Sequence, residues 1–210
     1  MTISCLTRNP RNYLYEVVTP PAAYPISLAD LKIQTRIDWT SVEHDTFLTK
    51  NIIEPVVQCA ENLTGISFIT RTMKTYRDCF DSFIQIRSAP FDSLVTFKYL
   101  NNLDILTSVP SDCYYVVKKE YGNIILNCDS SYPSDLTEKL GGIEIVFTVG
   151  FGASSAEVKA DLRLAMLQHA TFFYENRGDC CNLESCCPPS VRAIYENNRI
   201  YNLSGYDIYG

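Results

Sequence analysis

The chain has 210 residues, of which 46% are hydrophobic and 20% charged, and its formal net charge is −6. This composition supports a core in one large or two small domains. The excess of acidic residues disfavours tight binding to nucleic acid, because such binding needs Lys and Arg to neutralise phosphates. Such a chain can still surround DNA without binding it. No run approaches the ~18 apolar residues of a membrane span, and residues 1–17 lack the apolar core of a signal peptide, so we expect folding in the cytoplasm.

Residues 1–26 are predicted to form an extended arm, because prolines exclude a regular helix there. The run from Tyr13 to Val18 is typical of one short strand. A short helix should then begin at Ser27, with Asp30 as an approximate capping-box partner, and end near Asp38. Its apolar side chains are candidates for burial: Leu28, Leu31 and Ile33.

A longer helical pattern follows, from Ser41 as N-cap to Gly65, where a helix C-terminus favours a positive φ. Its apolar side chains recur at steps of three and four residues, which predicts one buried face: Leu48, Ile52, Val56, Cys59 and Leu63. Pro55 lies well inside the pattern. It should kink the helix, unless the segment consists of two shorter helices.

Between residues 66 and 152 the hydrophobic period changes to two, which predicts strands. Turn-forming residues divide the region into candidate strands or strand pairs: residues 69–80, 83–88, 94–100, 113–126 and 143–151. The short spacing of these runs is typical of hairpins. We therefore predict an antiparallel sheet or a small β-barrel.

The segment GFGASS, residues 150–155, predicts a turn and an N-cap at Ser154 or Ser155, followed by a helix over residues 156–176. One face of that helix is apolar: Val158, Leu162, Ala165, Met166, His169, Phe172 and Phe173. A last short helix over residues 190–198 has its own apolar stripe: Val191, Ile194 and Tyr195.

These elements predict an α+β fold in which a helical bundle, residues 27–65 plus 153–199, carries a β insertion over residues 66–152. The bundle core should include residues from each long helical pattern: Leu31, Leu48, Ile52, Val56, Leu63, Leu162, Met166 and Phe173.

Four of the nine cysteines form the cluster CCNLESCC: Cys180, Cys181, Cys186 and Cys187. Thiolates bind zinc well, but zinc sites usually separate paired ligands by two to four residues, whereas this cluster contains adjacent pairs. Disulfides would need an oxidising compartment, which nothing in the sequence signals. Free thiols, late disulfides and a metal site all remain open, and we assign no metal ligand and no cofactor.

Catalytic patterns are weak throughout the sequence. The chain has two histidines, His44 and His169. We interpret the first as a neutral surface or cap residue at a helix start and the second as a hydrogen-bonded core or interface residue. No serine lies in a nucleophile elbow, and no glycine-rich loop has phosphate-binding form. We therefore expect a protein that is not an enzyme.

The C-terminal tail, residues 200–210, is extended in pattern and rich in apolar side chains: Ile200, Tyr201, Leu203, Tyr206, Ile208 and Tyr209. We expect such an apolar terminus to bind a partner or to pack against the protein itself. Alternate side chains such as Tyr206 and Ile208 could fill pockets while the backbone extends a sheet edge of a partner. The alternative is that the tail folds back on its own bundle.

Several segments stand in one order along the chain: VVTPPAAYPISLADLKIQTRID (17–38), DTFLTKNIIEPVVQCAENLTG (45–65), IRSAPFDSLVTFKYL (86–100), IEIVFTVGFG (143–152) and VKADLRLAMLQHATFFYENRGD (158–179). Together with Thr70 and Thr72, they resemble the head–tail connector (adaptor) proteins of long-tailed bacteriophages and gene transfer agents. The resemblance spans residues 19–199, and its specificity lies in the order and spacing of the segments. Pro55, the cysteine cluster, the N-terminal arm and the tail depart from the family pattern.

The resemblance implies a ring of about a dozen subunits below the portal protein, joining the DNA-filled head to the tail and extending the DNA channel. The implied partners are other copies of the chain, the portal protein, and a stopper or tail-completion protein. Double-stranded DNA would pass through without specific binding, no membrane would be involved, and the protein would act in the virion neck after assembly in the host cytoplasm. The tail side chains from Ile200 to Tyr209 would bind the portal. The residues are also compatible with an alternative function, that of a small metal- or redox-responsive binding protein that uses Cys180 to Cys187.

Overall fold

The computed structural model describes residues 15–38, 41–78, 80, 83–86, 88–118, 122–126, 133, 135, 141–176 and 187–200. It confirms the α+β class. The helices are α1 (Leu28–Thr35), α2 (Val42–Leu48), α3 (Glu54–Thr64), α4 (Ala160–Glu175) and α5 (Pro189–Asn197). The strands are β1 (Tyr15–Thr19), β2 (Arg71–Arg77), β3 (Phe83–Ile86), β4 (Phe91–Leu100), β5 (Leu106–Ser108), β6 (Tyr114–Lys118), β7 (Gly122–Leu126) and β8 (Ile143–Val149).

The chain divides into two compact units. The helical unit comprises the described residues of 21–70 and 151–200, and the β unit comprises those of 15–20 and 71–150. The β unit contains strand β1, which lies within the arm that the sequence predicts, at the position where a short strand is expected.

Helix α1 begins as the sequence predicts. Ser27 is the N-cap, and its hydroxyl oxygen accepts a hydrogen bond of 3.0 Å from the backbone N–H of Asp30. Leu31 is buried, but the expected burial of Ile33 is wrong, since 77% of that residue is exposed. Two residues along an α-helix correspond to a rotation of about 200°, so Ile33 points away from the face that Leu31 buries.

The segment containing Pro55 stays helical from Val42 to Thr64, and a π-helical turn divides it into two α-helical parts. A π-helical turn, Thr49–Ile53, joins α2 to α3, and Pro55 lies in the first turn of α3. Proline has no backbone N–H, and the π-helical turn just before it changes the hydrogen-bond pattern at this point of the helix. Gly65 ends α3 with a φ of 72°, as its position predicts, and its N–H donates to the Glu61 carbonyl at 2.8 Å.

Helix α4 starts later than predicted, because a separate 3-10 turn, Ser155–Glu157, precedes it. The Glu157 carboxylate accepts hydrogen bonds from the backbone N–H and the hydroxyl of Ser154, at 2.9 and 3.1 Å. A Cβ at Gly152 would collide with the Glu157 carboxyl group, so glycine leaves room for this carboxylate. The cap expected at Ser154 therefore belongs to the 3-10 turn.

The core of the helical unit confirms the predicted bundle core. The fully buried members of the predicted set are Leu31, Leu48, Ile52, Val56, Leu162 and Met166. Leu63 and Phe173 are partly buried and pack against them. The predicted burial of Phe172 is wrong, because this side chain is exposed. It is offset by about 100° from Phe173 around the helix axis.

The described strands form two open antiparallel sheets and not a small barrel. The first has the order β1-β2-β8-β4-β5, and the second has the order β3-β7-β6. Along β8, buried and half-buried residues alternate, which places Ile143, Ile145, Phe147 and Val149 in the core. Strand β5 has no counterpart among the predicted strands, since three residues are too few for a period-two signal.

None of the helices in the described ranges is long and apolar enough to cross a membrane.

Candidate functional site

An open groove of about 370 Å³ lies on the helical unit, and we call it the α1–α2 groove. Its lining residues come from the segment before α1, from the start of α1, from α2, from the π-helical turn and from the start of α3: Tyr24, Leu28, Val42, Asp45, Thr46, Thr49, Lys50 and Glu54. The N-terminal parts of both α1 and α2 contribute apolar side chains, Leu28 and Val42. The π-helical turn contributes Thr49 and Lys50, and such turns are frequent at functional sites.

Polar contacts hold the walls of the α1–α2 groove in place. The Tyr24 hydroxyl donates to Glu54 Oε1 at 2.5 Å, and this bond to a carboxylate raises the pKa of the tyrosine. Lys32 on α1 forms an ion pair with Asp45 on α2, with 2.5 Å between Nζ and Oδ1. The groove therefore has a fixed wall on each side.

Neither histidine has a catalytic setting in the described part of the chain. His169 is fully buried on α4, and its Nδ1 lies 3.4 Å from the Tyr195 hydroxyl on α5. This is the core histidine that the sequence predicts. The ring of His44 stacks on Phe47, with 6.3 Å between the ring centroids.

Of the four clustered cysteines, Cys187 is described, while Cys180, Cys181 and Cys186 lie outside the described residues. Cys187 is buried, and its thiol faces the Pro188 carbonyl, with 3.8 Å between sulfur and oxygen. Burial, together with the nearby Cys59 thiol, raises the pKa of Cys187 to about 11. A thiol that stays protonated is a poor metal ligand. Among the described residues, no three His, Cys, Asp or Glu side chains come together to hold a metal ion.

The buried Cys187 thiol should alkylate slowly in the native protein. With a pKa of about 11, roughly one molecule in a thousand carries the thiolate at pH 8, against roughly one in ten for a thiol with a pKa of 9.0. Iodoacetamide labelling at pH 8, followed by peptide mass spectrometry, should show slow modification in buffer and rapid modification in urea. Equal rates in the two conditions would show that Cys187 is accessible in the folded chain.

Of the predicted tail residues, Ile200 is described, and Tyr201, Leu203, Tyr206, Ile208 and Tyr209 lie outside the described residues. The Ile200 N–H donates to the Thr64 carbonyl at 2.8 Å, and its side chain packs against the core of the helical unit. A Cβ at Gly65 would lie 3.4 Å from the Ile200 carbonyl oxygen. Ile200 therefore lies beside the C-terminal end of α3.

Sequence reasoning missed an apolar hairpin tip between β4 and β5, residues 101–106. Leu103, Ile105 and Leu106 are 72%, 56% and 44% exposed. Asn101 organises the tip, because its Oδ1 accepts from the N–H groups of Leu103 and Ile105 at 3.0 and 2.9 Å. The apolar residues of NNLDILT (101–107) were a signal for this surface. The two asparagines predict a turn, but they do not show that the turn is ordered by hydrogen bonds.

Comparisons with known proteins give matches at the level of structure. No family model matches the chain, and no curated protein matches it. A chain of the "virion of native gene transfer agent (GTA) particle" superposes with a TM-score of 0.71 and 21% sequence identity. A chain of the "neck of empty GTA particle computed with C6 symmetry" gives 0.71 and 20%, and one of the "neck of native GTA particle computed with C12 symmetry" gives 0.64 and 20%.

The chain shares its fold with proteins of gene transfer agent particles. Each of these superpositions covers 91% of this chain and 98% of the other one. The likeness therefore includes the helices as well as the strands. At 20–21% identity it establishes the fold, and it leaves function to be argued from the residues.

Proposed function

We propose that this chain is a structural protein of a virion neck, in which copies form a ring around the path of the DNA. The observation that carries the proposal is the fold, which is shared over 91% of the chain with proteins from gene transfer agent necks that were computed with C6 and C12 symmetry. The family resemblance in the sequence points the same way.

The electrostatics suit a channel through which DNA slides. The net charge is −6, so the chain as a whole repels phosphate. A strongly basic ring would gain affinity with every phosphate contact through counterion release and would slow the passage of DNA. Double-stranded DNA would accordingly pass through the ring without specific binding.

The finer parts of the proposal concern partners. The ring lies below the portal protein, joins the DNA-filled head to the tail, extends the channel, and presents its other side to a stopper or tail-completion protein. It acts without an enzymatic step and is assembled in the host cytoplasm. The tail binds the portal through side chains from Ile200 to Tyr209. Since Ile200 is held at Thr64, the portal-binding segment proper begins at Tyr201.

The mass of the native assembly tests this function. One chain weighs 23.8 kDa, so a ring is many times heavier, and native mass spectrometry of the purified protein or of isolated necks should show a single large multiple. Reconstruction of the neck should then find the chain at the head–tail junction. A chain located elsewhere in the particle, or present there as a single copy, contradicts the proposal.

A further inference from the structure

A cyclic ring requires each subunit to present two different surfaces that fit one another. In a ring with cyclic symmetry, neighbouring subunits meet head to tail. A patch on one copy therefore contacts a different patch on the next copy. The inference that follows rests on the proposed ring and asks which two surfaces meet.

The hairpin tip has the properties of an inserting surface. Leu103 is 72% exposed, and monomeric proteins rarely leave such an apolar cluster in water at a fixed loop. The tip is ordered before any partner binds, because the Asn101 N–H donates to the Ile105 carbonyl and the Asp104 N–H donates to the Asn101 carbonyl, both at 3.0 Å. A preorganised loop loses little conformational entropy on binding.

The α1–α2 groove has the properties of a receiving surface. Val42 at its rim is 82% exposed, although it is a β-branched apolar residue at the start of a helix. A space of about 370 Å³ lies within the range of sites that hold small apolar groups. Lys50 adds a positive charge to the lining, and no carboxylate of the described residues forms a salt bridge with it.

The two surfaces match in shape, and one charge of the groove is left for the tip. The tip is convex and apolar with one carboxylate, that of Asp104. The groove is concave, and its lining holds two carboxylates that already have partners, since Asp45 pairs with Lys32 and Glu54 accepts from the Tyr24 hydroxyl. The remaining charge of the lining is the ammonium of Lys50. We propose that the hairpin tip of one copy inserts into the α1–α2 groove of the next copy, with Leu103 and Ile105 against the apolar lining and Asp104 facing Lys50.

This contact supplies the anchor side chain of the interface but accounts for only part of the buried area. Stable interfaces bury more than about 1,000 Å² in total, while a few well-packed side chains carry most of the binding energy. Leu103 is the anchor side chain, and the Asp104–Lys50 pair sets the register of neighbouring copies.

Two substitutions at exposed positions disrupt the contact without touching either core. Leu103→Asp places a charge on the tip, and Val42→Asp places one on the groove rim in the first turn of α2, where the helix dipole favours an acidic residue. Val95→Asp on β4 and Ile33→Asp on α1 are matched controls, since both side chains are aliphatic and largely exposed. Circular dichroism should show that all four variants are folded.

Ring formation separates the disruptive variants from the controls. By sedimentation velocity of the full chain, we expect wild type, Val95→Asp and Ile33→Asp to form the large assembly, and Leu103→Asp and Val42→Asp each to remain monomeric. Lys50→Glu is a second, milder test, which keeps the apolar surfaces and should raise the concentration needed for assembly several-fold.

Mixing the two disruptive variants gives a result specific to a head-to-tail contact. The Val42→Asp chain retains its tip and the Leu103→Asp chain retains its groove, so an equimolar mixture should form a heterodimer that cannot grow further. If Leu103→Asp and Val42→Asp assemble like wild type, the inference is wrong, while the proposed ring stands. If the wild-type chain is a single copy both in solution at every concentration and in isolated necks, both the ring and the inference fall.

Discussion

Replacing Leu162 with alanine is expected to lower the free energy of unfolding by about 2–5 kcal/mol. Leu162 is fully buried on α4, within the cluster that includes Leu31 and Val56. Alanine removes the methyl groups that fill this space, and the rigid helices around them relax only in part, so a cavity remains. Urea unfolding followed by circular dichroism at 222 nm measures the loss, since this signal reports the helices.

Leu164 is the matched control for this substitution. It lies two residues further along the same helix and is half exposed. Leu164→Ala should change the free energy of unfolding by no more than about 0.5 kcal/mol, because a surface substitution leaves no cavity. Equal losses for both variants would show that α4 is packed on a different face.

Removing residues 201–210 is expected to leave a folded subunit that no longer attaches to DNA-filled heads. The cut belongs after Ile200 and not before it, since the Ile200 N–H holds the chain at Thr64 and its side chain packs against the core. Removing Ile200 as well would mix a stability loss with a docking loss. Particles made with the truncated protein are counted as tailed or untailed by electron microscopy.

The tail also contains its own matched controls. Tyr206→Asp combined with Ile208→Asp should reproduce the loss of attachment, because charges cannot fill apolar pockets. Asn202→Asp combined with Ser204→Asp changes the same number of residues and adds the same charge, so it should leave attachment intact. Normal joining of the truncated protein to heads would exclude the tail as the anchor and make the N-terminal arm the next candidate.

The parts of the fold that the sequence predicts well are those in which many residues repeat one signal. Leu48, Ile52 and Val56 lie at helical spacing, and all are buried. Ile143, Ile145 and Phe147 alternate with half-buried residues, as a strand with one core face requires. In such runs several residues fit the same period, so one residue that does not fit leaves the predicted helix or strand unchanged.

The failures occur where the signal is short. Helix α1 has eight residues, or little more than two turns, so its pattern did not determine the side on which Ile33 lies. Strand β5 has three residues, too few for alternation. The groove could not be predicted at all, since its lining comes from separate elements whose packing joins Tyr24 to Glu54 across 30 positions.

The π-helical turn between α2 and α3 makes this region sensitive to chain length. A π turn takes up one residue more than an α turn, so it sets how far α2 is rotated about the helix axis relative to α3. With this rotation, Leu48 before the turn and Val56 after it are both buried. Loss of a single residue here, such as exposed Asn51, would restore an ordinary α-helix but rotate α2 by about 100° relative to α3. Leu48 would then leave the core, so insertions and deletions should be tolerated less in this turn than most changes of residue type.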